Sequence, residues 1–166
     1  MNKFQNITFY MDEDVSEKEL RTYNDIKIEY DGKEFSSNGN GNFSIYLNDS
    51  YLSFEVDVES KRITNFCGIY PFKNIGAVNI QLPVNASKGI LTVKESKEMQ
   101  RGCGTRIKFD CTPYYDEKNR ILILGKFSKN KSYCQFFENG YIQLDKNGFL
   151  TSIMLTDISL NNSLEL

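Results

Sequence analysis

The chain contains no histidine and no tryptophan among its 166 residues, and it has only three prolines. Without imidazole, this chain cannot carry out Ser-His-Asp or Cys-His catalysis, and it cannot supply a histidine-ligated metal site. Any catalysis would have to use carboxylates, lysine, tyrosine or an unaided thiol. The absence of histidine therefore favours a function in binding over a function in catalysis.

Long apolar stretches are also missing. The densest aliphatic run covers residues 121–124, far below the ~18 residues that indicate a membrane-spanning helix. Residues 1–6 lack the apolar segment of a signal peptide, so we expect a cytoplasmic protein. In that reducing compartment thiols are expected at all four cysteines, which are Cys67, Cys103, Cys111 and Cys134. Their irregular spacing predicts neither a metal site nor a cofactor.

Alternation of apolar and polar residues dominates the chain. It is clearest over residues 52–58, where every second side chain is apolar. The sequence predicts a mainly β protein (all-β or α+β) with one globular domain over residues 1–166. We expect an antiparallel sandwich, barrel or curved sheet. A strand is also predicted over 78–82, and a C-terminal β-meander over 121–127, 133–137, 141–144 and 149–157.

Local signals predict one helix and several tight turns. Ser16 and Glu19 match a capping box, which predicts a short N-terminal helix over about 16–23. Asp31-Gly32 between two apolar runs predicts a hairpin with positive φ at both residues. The Asn139-Gly140 and Asn147-Gly148 pairs predict hairpins for the same reason.

Charge is unevenly distributed along the chain. Residues 1–65 carry 7 basic and 13 acidic side chains, whereas residues 66–166 carry 13 basic and 9 acidic ones. An acidic region of this kind can attract a basic protein partner and speed association with it. The candidate partner-binding acids are Asp12, Glu13, Asp14, Glu17, Glu19, Glu55 and Asp57.

Two alternatives use other parts of the chain. Glu55, Asp57 and Glu59 alternate along one predicted strand face, a pattern compatible with a carboxylate-based enzyme. A small-ligand-binding barrel is a related possibility. A single-stranded nucleic-acid-binding domain would combine aromatic residues of the meander with basic side chains at Lys94, Lys97, Arg101, Arg106 and Lys108.

The glycine-rich stretch over residues 101–106 raises a further possibility. Its backbone amides could hold an anion, and Arg101 and Arg106 could activate the thiol of Cys103 between them. A mobile turn is the simpler interpretation. Taken together, these features favour a non-catalytic protein-binding module, and most specifically an intracellular immunity protein that inhibits a basic toxin, such as a nuclease, by direct binding.

Overall fold

A computed structural model describes residues 6–48, 50–69, 73–82, 86–95, 99–126, 128 and 132–160. Within these ranges the chain forms one helix, α1 (Glu17–Asn24), and fifteen strands. The strands are β1 (Thr8–Asp12), β2 (Glu29–Tyr30), β3 (Glu34–Ser36), β4 (Phe43–Leu47), β5 (Tyr51–Val56), β6 (Ile63–Ile69), β7 (Gly76–Ala77), β8 (Ser87–Lys88), β9 (Ile90–Glu95), β10 (Cys103–Ile107), β11 (Pro113–Asp116), β12 (Ile121–Gly125), β13 (Cys134–Phe136), β14 (Gly140–Leu144) and β15 (Leu150–Leu155).

The strands form two large sheets and one small sheet, which confirms the mainly β prediction. The six-stranded sheet has the order β10-β4-β5-β6-β3-β2, and the seven-stranded sheet has the order β7-β11-β12-β15-β14-β13-β8. Strands β1 and β9 pair separately. Most pairs are antiparallel, and β10–β4, β11–β7 and β13–β8 are parallel. The described strands do not close into a barrel.

The two large sheets bury their facing side chains in one apolar core. Phe54 on β5 lies 5.4 Å from Phe66 on its own sheet and 5.9 Å from Phe136 on the seven-stranded sheet, measured between ring centroids. All three rings are fully buried. Alternation along β5 therefore directs one set of side chains into this core and leaves the other set on the outer face of the sheet.

Strand β12 is buried on both faces, as its continuous apolar run predicts. Leu122 and Leu124 belong to the main core, whereas Ile121 and Ile123 belong to a second, smaller cluster. The strand lies between β11 and β15 in the interior of its sheet. The predicted meander is confirmed for β13, β14 and β15, which pair in chain order. It is wrong for β12, which pairs with β15 and not with β13.

The strand predicted over residues 78–82 is wrong. This segment is irregular, and it packs Ile80 against the outer side of the seven-stranded sheet. The backbone N–H of Ile80 donates to Asp116 Oδ2 at 2.8 Å, and the backbone N–H of Val78 donates to the Tyr115 carbonyl at 3.3 Å. Of the alternating apolar residues here, Ile80 is buried, Val78 is half-buried and Leu82 is 52% exposed, so the alternation does not mark a paired strand.

Helix α1 begins where the capping box predicts. The Ser16 hydroxyl oxygen accepts a hydrogen bond from the Glu19 N–H at 3.1 Å. Tyr23 is the buried residue of the helix, and its ring lies 5.1 Å from that of Phe137. The Tyr23 hydroxyl also accepts a hydrogen bond from the Leu91 N–H at 3.2 Å. Both contacts fix the helix against the sheets.

No helix in the described part of the chain has the length and apolar character needed to cross a membrane.

All three predicted turns form with backbone geometry different from that expected. In the 147–148 turn only Gly148 has positive φ. In the 31–33 turn only Gly32 has positive φ, and the Asp31 carboxylate accepts the backbone N–H groups of Lys33 and Glu34. In the 137–139 turn the positive φ belongs to Phe137. Asn139 is instead buried, and its side chain forms hydrogen bonds that link distant segments. We call this link the Asn139 clamp.

The Asn139 side chain joins two parts of the chain that are far apart in sequence. Its Oδ1 accepts the Ile28 N–H, and its Nδ2 donates to the Ile28 carbonyl, both at 2.8 Å. The same Nδ2 donates to the Thr156 carbonyl at 2.8 Å. The amide thus supplies hydrogen bonds that a neighbouring strand would otherwise supply.

Candidate functional site

The outer face of the six-stranded sheet gathers exposed apolar side chains. On β5 and β6, Tyr51 and Ile69 are directly opposite each other, and they are 72% and 51% exposed. On the neighbouring β4, Tyr46 is 38% exposed. These three account for most of the large, exposed apolar residues in the described chain; the other two are Tyr10 and Leu82. We call the surface formed by Tyr46, Tyr51 and Ile69 the tyrosine face.

Arg106 borders the tyrosine face on the edge strand β10. It pairs with Tyr46 across the sheet, and its guanidinium carbon lies 5.8 Å from the centroid of the tyrosine ring. Its Nη1 also donates to the Asn48 carbonyl. The arginine is therefore held in place beside an exposed aromatic ring, an arrangement that favours cation–π attraction.

A polar cluster lies beside the tyrosine face in the middle of the sheet. Glu55 Oε2 accepts hydrogen bonds from Asn65 Nδ2 at 3.1 Å and from the Gly41 N–H at 3.2 Å. Asn65 Oδ1 in turn accepts from the Ser37 hydroxyl. The Glu55 carboxylate is thus already engaged in holding the 37–41 segment against β5 and β6.

Cys67 lies on the same face, opposite Ser53. Burial of the thiol raises the pKa of Cys67, and the nearby negative charge of Glu55 raises it further. The Cys67 Sγ lies 3.9 Å from Glu55 Oε1. Since the thiolate is the nucleophilic form, this environment disfavours covalent chemistry at Cys67.

The predicted acidic residues fall into four parts of the fold. Asp12, Glu13 and Asp14 lie at the end of β1 and in the connection to α1, and Asp12 Oδ1 accepts the Asp14 N–H at 3.0 Å. Glu17 is exposed in the first turn of α1, where a carboxylate complements the helix dipole. Glu55 lies apart from these residues, on the outer face of the six-stranded sheet.

The remaining two acids, Glu19 and Asp57, line one groove. The groove has a volume of about 670 Å³ and lies between α1 and the 57–64 segment. Glu19 Oε2 pairs with Arg62 Nη2 at 3.4 Å. Asp57 accepts the Ser60 hydroxyl at 2.7 Å, and hydrogen bonds from Ser60 lower the pKa of Asp57. Both carboxylates therefore have internal partners.

The alignment of Glu55, Asp57 and Glu59 on one strand face is wrong. Strand β5 ends at Val56, and residues 58–60 form a turn. Glu59 then pairs with Arg101. The structure thus gives no support to a row of catalytic carboxylates, and the open sheets remove the barrel form of the ligand-binding alternative.

The described basic residues predicted for nucleic-acid binding lie at β9 and at β10. Lys94 is exposed on β9, Lys108 is exposed just after β10, and Lys97 lies outside the described residues. Of the two arginines, Arg101 pairs with Glu59 and Arg106 borders the tyrosine face. Three of the meander aromatics expected to stack on bases are buried, namely Tyr133, Phe136 and Phe137, and for these the prediction is wrong. Tyr141 and Phe149 are half-buried, and Phe127 lies outside the described residues.

The 101–106 stretch forms a turn and an edge strand. Cys103 is exposed at the start of β10, and the preceding Gly102 has a φ of +77°. The Arg101 guanidinium forms an ion pair with Glu59, and that of Arg106 donates to the Asn48 carbonyl. Their hydrogen bonds are therefore made with these groups and not with the Cys103 thiol. All four cysteines lie among the described residues and are thiols without disulfide bonds.

Sequence reasoning missed the tyrosine face. The signal was present, because Tyr46 and Tyr51 occupy positions in β4 and β5 that alternate with buried residues such as Ile45 and Leu52. Aromatic residues at outward positions are typical of binding surfaces. What the sequence lacked was the strand order that brings Tyr51 opposite Ile69.

No protein-family model matches this chain. No curated protein has a sequence that matches it significantly.

Proposed function

We propose that this chain is a non-catalytic protein-binding module, and that it is an immunity protein that inhibits a basic toxin domain in the cytoplasm by direct binding. The observation that carries the proposal is the tyrosine face, where Tyr46, Tyr51 and Ile69 are exposed together beside Arg106. Tyrosine and arginine are enriched at the energetic centres of protein interfaces.

The chemistry of the surrounding residues supports binding over catalysis. The chain has no histidine, the Cys67 thiol has a raised pKa, and the carboxylates of Glu19, Glu55 and Asp57 have internal partners. A group that already serves a turn or an ion pair is poorly placed to transfer protons to a substrate. The tyrosine face requires no such chemistry.

Charge supports a basic partner. Residues 1–65, which include the acids at 12–14 and on α1, have a net charge of −6. Complementary charge speeds association and discriminates between partners, while the apolar centre of an interface contributes most of the affinity. We assign the contact itself to the tyrosine face and the steering to the acidic residues.

Co-expression tests this function. The probe is the protein encoded by the gene next to this one, produced in cells with and without the chain. We expect that protein to arrest growth when produced alone and the chain to restore growth and co-purify with it. The proposal is wrong if the neighbouring protein is harmless or if its toxicity persists beside a well-folded chain.

One observation favours a second candidate, the single-stranded nucleic-acid binder. Tyr46 and Tyr51 are exposed on an open sheet beside Arg106, and bases stack on such rings next to positive charge. The acidic residues Glu34 and Glu55 on the same sheet oppose it, because they repel phosphates. Anisotropy of a labelled single-stranded oligonucleotide at low salt separates the two candidates: the protein-binding proposal expects no binding.

A further inference from the structure

Among the four edges of the two large sheets, one differs from the other three. The seven-stranded sheet ends in β7 and β8, and the six-stranded sheet ends in β2 on one side; each of these strands has only two residues. Very short edge strands limit unwanted pairing with other chains. The remaining edge of the six-stranded sheet is β10, which has five residues. Of these four edges it is therefore the one best suited to pair with another strand.

The hydrogen bonds of β10 show which groups point outward. The Ile107 carbonyl accepts the Asn48 N–H at 2.9 Å and so points towards the β4 side. Backbone groups alternate sides along a strand. The N–H and C=O groups of Gly104 and Arg106 consequently point away from β4, along the outer edge of the sheet.

These outward groups suit a second copy of the same strand. Antiparallel pairing of all five β10 residues requires a two-fold axis at Thr105, the middle residue. Gly104 then lies opposite Arg106 of the second copy, and the two exchange both of their backbone hydrogen bonds. The two-fold axis repeats this pair, which gives four intermolecular hydrogen bonds. The outward N–H and C=O groups of Gly104 and Arg106 thus all form hydrogen bonds in the dimer.

Charge placement agrees with this register. Arg106 lies opposite Gly104 of the second copy, so no two cations of β10 are directly opposed. The Gly102 end of β10 also adjoins the Arg101–Glu59 ion pair. Lys108 of the second copy thus approaches a turn where the exposed charges of Arg101 and Glu59 are paired with each other.

We propose that two copies of this chain pair antiparallel through β10, with the axis at Thr105, into one continuous twelve-stranded sheet. The axis is perpendicular to the sheet, so both tyrosine faces lie on the same side. Tyr46, next to β10, is brought near the seam between the copies. This dimer is independent of the proposed function, because it depends on the strand edge alone.

Sedimentation equilibrium tests the dimer. We expect wild-type chain to have twice the mass of one copy. Arg106→Pro removes an outward N–H, and proline is tolerated on an edge strand when its nitrogen faces solvent, so this variant should be a folded monomer. Arg106→Ala removes the side chain but keeps the N–H, and should stay dimeric. A monomeric wild type, or an Arg106→Pro variant that still dimerises, overturns the proposal.

A cross-link tests the register and does not require Arg106→Pro to fold. Thr105 faces Thr105 of the second copy as a non-hydrogen-bonded pair, with Cα atoms about 4.5 Å apart, within the range of a disulfide. Thr105→Cys combined with Cys103→Ser should therefore form a covalent dimer on mild oxidation. In the wild type, Cys103 faces Ile107 of the second copy and should not cross-link. Cross-linking through Cys103, or none through residue 105, overturns the proposed register. Hydrogen exchange shows whether another protein pairs with β10 instead. If the wild-type chain is monomeric and the amides of β10 become protected only when another protein is added, pairing with a second copy is overturned.

Discussion

Tyr51 and Ile69 are cross-strand partners on the outer face of the six-stranded sheet, and more than half of each side chain is exposed. Apolar side chains at paired positions normally become buried together. Here the pair, with Tyr46 beside it, is left open to solvent. This relationship is the basis for assigning the tyrosine face to partner binding.

Replacement of Tyr51 should weaken partner binding and spare the fold. For Tyr51→Ala we expect a loss of about 2 kcal/mol in binding, roughly a thirtyfold rise in Kd. Tyr10→Ala is the matched control, because Tyr10 is 41% exposed but lies on β1. Calorimetry with the neighbouring gene's product measures both. If Tyr51→Ala and Tyr10→Ala lose equal amounts of binding free energy, the interface is not at the tyrosine face.

Charge reversal near α1 should slow association with a basic partner. Glu13 and Asp14 are exposed, and Asp12 is left unchanged because it accepts the Asp14 N–H. For Glu13→Lys with Asp14→Lys we expect a lower association rate, a weaker salt dependence and an unchanged unfolding midpoint. Stopped-flow kinetics measures the rate. The control reverses Glu117 and Glu138, which are also exposed, and if it slows binding equally, specific steering is refuted.

Asn139→Ala should destabilise the fold strongly. It removes three hydrogen bonds from a side chain that is 2% exposed, and leaves the Ile28 and Thr156 backbone groups without those bonds. At about 1–3 kcal/mol for each buried group that loses its partner, we expect a loss of about 3 kcal/mol or more in the free energy of unfolding. Urea denaturation measures it. Exposed Asn147→Ala serves as the control, and equal midpoints for the two variants would contradict the clamp.

Asp116 should make stability depend on acid pH. The Ile80 N–H and the Asn119 side chain donate to Asp116 and lower its pKa below the usual value of 3.8. The charged carboxylate therefore stabilises the folded state at neutral pH, and this contribution is lost as pH falls from the unfolded-state pKa through the lower folded-state pKa. We expect the stability difference between wild type and Asp116→Asn to shrink on acidification.

Urea denaturation at several pH values checks this expectation. The control is Glu117→Gln, the exposed neighbouring residue. Parallel stability curves for wild type and Asp116→Asn across the acid range would show that Asp116 does not fasten the 78–82 segment through its charge.

The features that could be predicted from sequence depend on neighbouring residues. Ser16 and Glu19 are three residues apart, so their capping contact is a local property of the chain. The burial of β12 on both faces follows from its continuous apolar run. Alternation likewise identified the inward residues of β5. The capping contact lies within its own sequence window, and the apolar patterns of β12 and β5 are likewise visible in consecutive residues.

The features that could not be predicted depend on distant segments. Asn139 lies in a turn by its sequence context, yet its hydrogen bonds reach Ile28, 111 residues away. Residues 78–82 alternate like a strand, but Asp116 captures the Ile80 N–H. The exposed apolar surface around Tyr51 could be recognised only from the strand register, which places Tyr51 opposite Ile69. Long-range pairing decided each of these cases.

Calorimetric titration of the wild-type chain most directly tests whether it is a protein-binding module. The two titrants are the neighbouring gene's product and a single-stranded oligonucleotide, in the same low-salt buffer. We expect one-to-one binding per chain of the protein, with a Kd of about 1 μM or tighter, and no heat from the oligonucleotide. Binding of the oligonucleotide and no binding of the protein would contradict the account.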